Sequence, residues 1–243
     1  MIELVQNFSG LKVCVIGDLI VDEYITCEAL GMSQEDPTLV VSPIDKRRFV
    51  GGAGIVAAHA SALGANATLI SVCGKDEVGD FARQTLDNYG VTSKLVIDES
   101  RPTTLKQRYR AENKSLLRVS HLRQSSVSLP HQIELINQAK AVIEDSDLLV
   151  FSDFNYGCLP QRVVDNCTEL AIEENVIRIA DSQSSSQVGD VSRFKGMTLI
   201  SATEREVRIS LRDKDDGLPV IAQKLASDTQ CPHIMLKLGA DGV

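Results

Sequence analysis

Acidic residues stand at the ends of several segments that the sequence predicts to be buried strands. Carboxylates accept hydrogen bonds from hydroxyl groups, such as those of a sugar, and they bind hard cations such as the Mg²⁺ of a nucleotide. Ligands of parallel α/β sheets lie at the carboxyl ends of the strands, although a helix cap or a turn also uses such residues. The acidic residues at these positions are Asp18, Asp22, Asp153, Asp181 and Glu206. Thr203 and Gly239 also follow predicted strands.

A glycine-rich stretch, Gly51-Gly52-Ala53-Gly54, begins a predicted helix. Glycine lets the backbone approach a ligand closely, and the free N–H groups of a helix start favour anions and hydroxyl oxygens. Residues 52–57 also fit G-x-G-x-x-A, which is a fingerprint of dinucleotide binding. Residues 45–50 are too charged for the buried strand that should precede this fingerprint, so an NAD(P)-dependent oxidoreductase remains an alternative that the sequence disfavours.

The elements that position these residues alternate between strands and helices with short connections. The first strand, Lys12–Gly17, is a nearly continuous apolar run of the kind that is buried on both faces of a parallel sheet. Repeated β-α units predict an α/β fold, in which helices flank a parallel sheet.

Two interruptions of this alternation predict strands outside the parallel sheet. Residues 38–50 and 104–119 have strand-like patterns without an intervening helix, and the stretch with Gly31 and Pro37 is predicted as a loop. Strands added in this way are a candidate lid within a single domain that covers residues 1–243.

Composition excludes several classes of partner. A net charge of -8 argues against nucleic acid and against an acidic membrane surface, since both favour a basic protein. The six cysteines include no C-x-x-C pair, which predicts reduced and mostly buried thiols. The sequence has neither a signal-peptide pattern nor an apolar run of membrane-spanning length, and we expect a cytoplasmic protein.

Several motifs together resemble the ribokinase-like (PfkB) carbohydrate kinases. The motifs are Gly17-Asp18 with Asp22, and Gly51-Gly52-Ala53 before a helix that ends in Ala62-Leu63-Gly64-Ala65. The kinase half of the bifunctional heptose-phosphate kinase/adenylyltransferases is the most similar group. This likeness rests on residues 101–108, on Asn113 with residues 117–119, and on residues 151–159. The resemblance follows the whole chain in the same order.

This resemblance implies an ATP-dependent kinase that phosphorylates a sugar or a sugar phosphate such as a heptose phosphate. Such kinases bind the sugar between an α/β body and a small β-lid. Asp22 would then bind sugar hydroxyls, Gly51 and Gly52 would let the backbone touch the sugar, and Asp153 would lie on the substrate side. Three cations of the lid strands would hold a sugar phosphate through charge-assisted bonds, or would instead pair with Glu112 or face solvent. They are Lys106, Arg108 and Arg118.

The resemblance also implies a site for ATP with Mg²⁺. Asp181, Thr203 and Glu206 match the positions that precede and form an Asn-x-x-Glu motif, with Thr203 in place of the Asn. Glu206 would hold Mg²⁺ indirectly, through water. Lys237 and Gly239 match a strand and glycine turn near the ATP phosphates, where Thr is common in place of Lys237.

Some family features differ or are absent. Ile55 stands where an Asn is usual, and Tyr156 replaces a common Lys. Relatives continue with Asp-Thr-x-Gly-Ala-Gly-Asp, whose last Asp is the catalytic base, and residues 1–243 contain no such stretch. We therefore expect an incomplete kinase domain with its base beyond Val243.

The alternative is a non-catalytic sugar- or nucleotide-binding protein on the same fold. Expected partners are a second copy through the lid and a fused or separate nucleotidyltransferase.

Overall fold

In the computed structural model, residues 7–112, 114–183 and 189–243 are described, and they form two β-sheets and six α-helices. Asn113, part of the family likeness, lies outside the described residues. The large sheet contains β1 (Lys12–Gly17), β4 (Asn66–Cys73), β5 (Thr92–Ile97), β8 (Leu148–Asp153), β9 (Ile177–Ser182), β10 (Leu199–Thr203) and β11 (His233–Lys237). The small sheet contains β2 (Leu19–Met32), β3 (Leu39–Gly52), β6 (Thr104–Ala111) and β7 (Lys114–His121). The helices are α1 (Ala53–Ala62), α2 (Glu77–Asn88), α3 (Leu129–Ile143), α4 (Gln161–Glu173), α5 (Glu204–Leu211) and α6 (Leu218–Thr229).

The large sheet is parallel throughout and has the order β11-β10-β9-β8-β1-β4-β5. This confirms the predicted α/β sheet. From β1 the chain first builds outward through β4 and β5, and it later returns to the other side of β1 with β8. The order therefore reverses between β1 and β8, and such a switch point leaves a crevice at the carboxyl ends of the strands.

The core lies on both faces of the large sheet. Alternate residues of β1 point to opposite faces, so Cys14 and Ile16 pack with the side chains of α3 and α4, while Val13 and Val15 pack with those of α1 and α2. All four side chains are buried. Burial on both faces explains why β1 could be predicted from its apolar run alone.

The small sheet has the order β3-β2-β6-β7, with antiparallel pairs at both edges and a parallel pair, β2 with β6, at its centre. The strands expected near residues 38–50 and 104–119 belong to it. The predicted loop around Gly31 was wrong in its first part, because residues 19–32 form the long strand β2. Its Asp22, Glu23 and Tyr24 interrupt the apolar pattern, and their partners lie on strands that are distant in sequence.

Two other predictions concern thiols and membranes. All six cysteines are free and buried, and burial raises the pKa of Cys73 to about 11, so its thiol stays protonated at neutral pH. None of the helices in the described ranges is both long and apolar enough to cross a bilayer.

Candidate functional site

One face of the small sheet gathers the expected substrate residues. Asp22 is the register partner of Lys106, Tyr24 is that of Arg108, and Arg108 is that of Arg118. Register partners, and residues two apart on one strand, share a face of a sheet. One carboxylate and three cations from three strands therefore share this face, which we call the lid face: Asp22, Lys106, Arg108 and Arg118.

Asp22 and Arg108 form an ion pair between β2 and β6 through Asp22 Oδ1 and Arg108 Nη1. Their side chains are 23% and 25% exposed, so the pair is partly open to solvent. The Arg108 guanidinium also lies 5.2 Å from the centre of the Tyr24 ring. Burial works to lower the pKa of Arg108, but the hydrogen bond and the charge of Asp22 outweigh it and raise that pKa.

Gly51 and Gly52 are required by the protein's own packing. A Cβ on Gly51 would overlap Asp22 Oδ2, and a Cβ on Gly52 would overlap the backbone oxygen of Asp18. Gly52 also has φ of 57°, in the left-handed region that glycine tolerates. These residues end β3 of the small sheet, so the G-x-G-x-x-A stretch follows an antiparallel ribbon and not a strand of the parallel sheet. The geometry expected of a dinucleotide fingerprint is therefore not present at α1.

Lys106 connects the lid face to the loop after β8. Its Nζ lies 5.3 Å from the centre of the Phe154 ring and 4.9 Å from that of Tyr156. Within the described ranges neither Lys106 nor Arg118 forms an ion pair with a carboxylate, and the alternative pairing with Glu112 is not seen. A cleft of about 300 Å³ lies here. Its lining comprises Lys106, Gln107, Arg108, Arg118, Ser120, Leu122, Gln124 and Tyr156.

Asp18 organises the switch point between β1 and β8. Its buried carboxylate accepts backbone N–H bonds from Phe154 at 2.8 Å, from Tyr156 at 3.2 Å and from Cys158 at 3.1 Å. Burial raises the pKa of Asp18 to about 6, the charge of Asp153 adds to this, and the three N–H bonds oppose it. Asp18 thus holds the loop that carries Tyr156. The sequence placed Asp18 after a strand but did not assign this role, because the donors lie about 140 residues away.

Asp153 is only 1% exposed, and its oxygens are occupied by protein groups. Arg193 Nη2 donates to Asp153 Oδ2 at 2.8 Å, Ser182 Oγ donates to the same oxygen at 2.9 Å, and the N–H of Asn155 donates to Oδ1 at 3.0 Å. This arrangement favours a positioning role for Asp153 over the expected direct contact with a substrate. A cavity of about 370 Å³ lies beside the Asp153–Arg193 pair.

The expected nucleotide residues lie at the carboxyl ends of β9, β10 and β11, which are adjacent in the sheet. Lys237 Nζ donates to both carboxylate oxygens of Asp181, at 2.8 Å and 3.0 Å. Gly239 has φ of 67° and opens a short 3-10 turn, Gly239–Asp241. The structure therefore brings these three residues to one edge, where the lysine and the aspartate offset each other's charge.

Thr203 and Glu206 form a capping box at the start of α5. Thr203 Oγ1 accepts the backbone N–H of Glu206 at 3.3 Å, and Glu206 Oε2 accepts the backbone N–H of Thr203 at 2.7 Å. Glu206 is buried. The Thr-x-x-Glu spacing thus has a structural use, since it satisfies two donors at the helix start and holds a carboxylate there.

The opposite face of the small sheet joins it to the body. Glu23 is buried and accepts hydrogen bonds from Arg48 and Gln107 at 2.6 Å each, and Lys46 lies 2.9 Å away. Burial works to raise the pKa of Glu23, but these donors overcome it and lower that pKa to about 2. Arg48 also donates to Glu77 of α2 at 2.9 Å. The sequence did not predict this network.

Comparisons with known proteins agree with this architecture. The family model described as "pfkB family carbohydrate kinase" matches residues 11–243. The D-beta-D-heptose 7-phosphate kinase of Bordetella bronchiseptica is 30% identical over 98% of this chain and 74% of its own length. The bifunctional protein HldE of Trichlorobacter lovleyi is 32% identical over 99% of this chain and 47% of its own length. The chain spans about half the length of the HldE relatives.

Solved structures share the fold at low sequence identity. Phosphofructokinase-2 from Escherichia coli in complex with fructose-6-phosphate superposes with a TM-score of 0.73 at 15% identity, covering 95% of this chain and 74% of that one. Arabidopsis thaliana ribokinase complexed with ribose and ATP gives a TM-score of 0.64 at 14% identity, with 94% and 72% covered. The expected ribokinase-like architecture, a helix-flanked parallel sheet with a small second sheet, is confirmed.

Proposed function

Because the chain belongs to the pfkB family of carbohydrate kinases, we propose that it binds a sugar phosphate beneath the small sheet for phosphorylation by ATP. The observation that carries this proposal is the convergence of Asp22 with Lys106, Arg108 and Arg118 on the lid face. A carboxylate can accept bonds from sugar hydroxyls, while the cations can hold a phosphate. The small sheet acts as the lid over this cleft.

The substrate class is a heptose phosphate. The relative from Bordetella bronchiseptica is described as a D-beta-D-heptose 7-phosphate kinase, and three cations at the cleft suit a substrate that already carries a phosphate. Asp22 binds sugar hydroxyls beside Gly51 and Gly52, where an added side chain would overlap Asp22 or the backbone of Asp18. Asp153 has a positioning role, which it exerts through its ion pair with Arg193.

ATP binds at the edge formed by β9, β10 and β11, near Asp181, Thr203, Lys237 and Gly239. Magnesium, which offsets negative charge on the phosphates during transfer, accompanies the nucleotide. Glu206 would hold such an ion through water, since the capping box fixes its carboxylate at the start of α5. We assign no catalytic base to residues 1–243, so the role of these residues is to bind and orient the two substrates.

Two partners complete the proposal. A second copy of the chain packs against the small sheet, where Leu30, Met32, Leu39 and Leu117 are exposed apolar side chains. A nucleotidyltransferase, fused or separate, uses the phosphorylated sugar.

Calorimetry of the 243-residue chain with heptose 7-phosphate and with MgATP, followed by an ADP-release assay of the protein that carries the expected base segment, tests the function. We expect both ligands to bind to the 243-residue chain. ADP release that depends on the sugar phosphate would establish the kinase for the protein assayed. Binding of both ligands without turnover would instead support a non-catalytic binding protein, and binding of neither would refute the proposal.

A further inference from the structure

The Asp22–Arg108 ion pair occupies the carboxylate that should receive the sugar. We propose that this pair is a selector for phosphorylated sugars: the phosphate of the substrate draws Arg108 away from Asp22 and so releases Asp22 for a sugar hydroxyl. This inference rests on the proposed function. It assigns to Arg108 the control of substrate choice, beyond a share in holding the phosphate.

The position of Arg108 permits the exchange. It lies on the central pair of the small sheet, with Asp22 on one side and the register partner Arg118 on the other. Arg108 lines the same cleft as Lys106 and Arg118. A phosphate in this cleft would therefore meet two other cations and the guanidinium that now binds Asp22.

The charges make the exchange favourable only for a phosphorylated ligand. A neutral hydroxyl that takes Arg108's place at Asp22 leaves the guanidinium without its anion, so the attraction between the two opposite charges is lost without replacement. A phosphate carries a charge of about -1.5 to -2 and offers Arg108 another anion. Arg108 then stays paired throughout, and Asp22 gains the hydroxyl. A free sugar must break the ion pair without compensation.

Inorganic phosphate provides a test on the unaltered chain. The affinity for the unphosphorylated heptose is measured by calorimetry with sodium phosphate and with sodium chloride at equal ionic strength. The selector predicts that phosphate raises the affinity for the free heptose several-fold, because the two ligands are coupled through Asp22 and Arg108. Unchanged or weakened binding in phosphate would overturn it.

A substitution provides the second test. Arg108→Met keeps the apolar stem against Tyr24 and removes the donor to Asp22. We expect Arg108→Met to bind the free heptose several-fold more tightly than the unaltered chain and heptose 7-phosphate about tenfold more weakly, as expected for the loss of a charge-assisted bond. Arg83→Met, which removes an exposed arginine of α2 outside the small sheet, is the control and should leave both affinities unchanged.

The outcomes separate the two proposals. If the unaltered chain binds neither sugar, the proposed function fails and the selector fails with it. If heptose 7-phosphate binds, but neither phosphate nor Arg108→Met improves binding of the free heptose, the selector fails and the proposed function stands. If Arg108→Met weakens both sugars equally, Arg108 only supports the fold of the site.

Discussion

Lys237 Nζ lies 2.8 Å and 3.0 Å from the two carboxylate oxygens of Asp181, so a lysine on β11 reaches across β10 to an acid on β9. Both residues were expected in the nucleotide site. Their side chains are 28% and 36% exposed, and the pair therefore faces the edge where the nucleotide is proposed to bind. The charge that this edge presents to ATP depends on the pair and not on either residue alone.

Lys237→Met should weaken MgATP binding about three- to tenfold, because it leaves the Asp181 carboxylate uncompensated beside the phosphates. The double variant Lys237→Met/Asp181→Asn should recover most of the loss, since the repelling charge is then gone. Calorimetric titration of MgATP measures both. Lys195→Met, which breaks the exposed pair with Asp228, is the matched control. A loss in Lys237→Met that the second substitution does not relieve would contradict this account.

Thr203→Val should lower the free energy of unfolding by about 1 kcal/mol, because the cap of α5 loses its acceptor oxygen. Thr203→Asn should retain nearly all of the stability, since Asn is an equally good cap and is the residue usual in the family. Urea denaturation followed by circular dichroism compares the variants. Thr92→Val, at an exposed strand position, controls for the change of side chain. Equal stability of Thr203→Val and the unaltered chain would show that the capping box contributes little.

Glu23→Gln should flatten the dependence of stability on acid pH. The pKa of Glu23 is lowered from 4.5 to about 2 in the folded chain, so the unfolded chain binds this proton more tightly. Its contribution is complete above pH 4.5 and is lost as pH falls towards 2, and it amounts to on the order of 3 kcal/mol. Urea denaturation at pH 7, 5 and 3 measures the difference, with the exposed Glu28→Gln as control. If the free energy of unfolding falls equally with pH in Glu23→Gln and in the unaltered chain, the network around Glu23 is not the cause of the acid dependence.

Asp22→Asn should weaken binding of heptose 7-phosphate by about tenfold or more while it changes MgATP affinity little. The carboxylate offers two acceptor oxygens, whereas the amide offers one acceptor and presents donors to Arg108. Calorimetry with each ligand separately measures the two affinities. Asp45→Asn, an exposed acid on β3 that pairs with Arg47, is the matched control. Equal loss of both ligands would mean that the sugar site has been misplaced.

The large sheet could be predicted because its strands are determined locally. The apolar run of β1 is buried on both faces of the sheet and can be recognised from the sequence alone. The strand β2 could not be predicted in this way. Its Asp22 and Glu23 resemble loop residues until Arg108 and Arg48 are brought beside them by other strands.

The sequence by itself determined which chemical groups stand at the strand ends, their order along the chain, and the glycines that follow β3. Only the tertiary structure decided how these groups are paired. Asp153 binds Arg193, Asp181 binds Lys237 and Asp22 binds Arg108, over separations of 40, 56 and 86 residues. Such pairs depend on strand order and register, which arise from packing across the whole sheet. Three of the acids expected to meet ligands are therefore already held by cations, and the Asp22–Arg108 pair is the one that we propose a substrate phosphate opens.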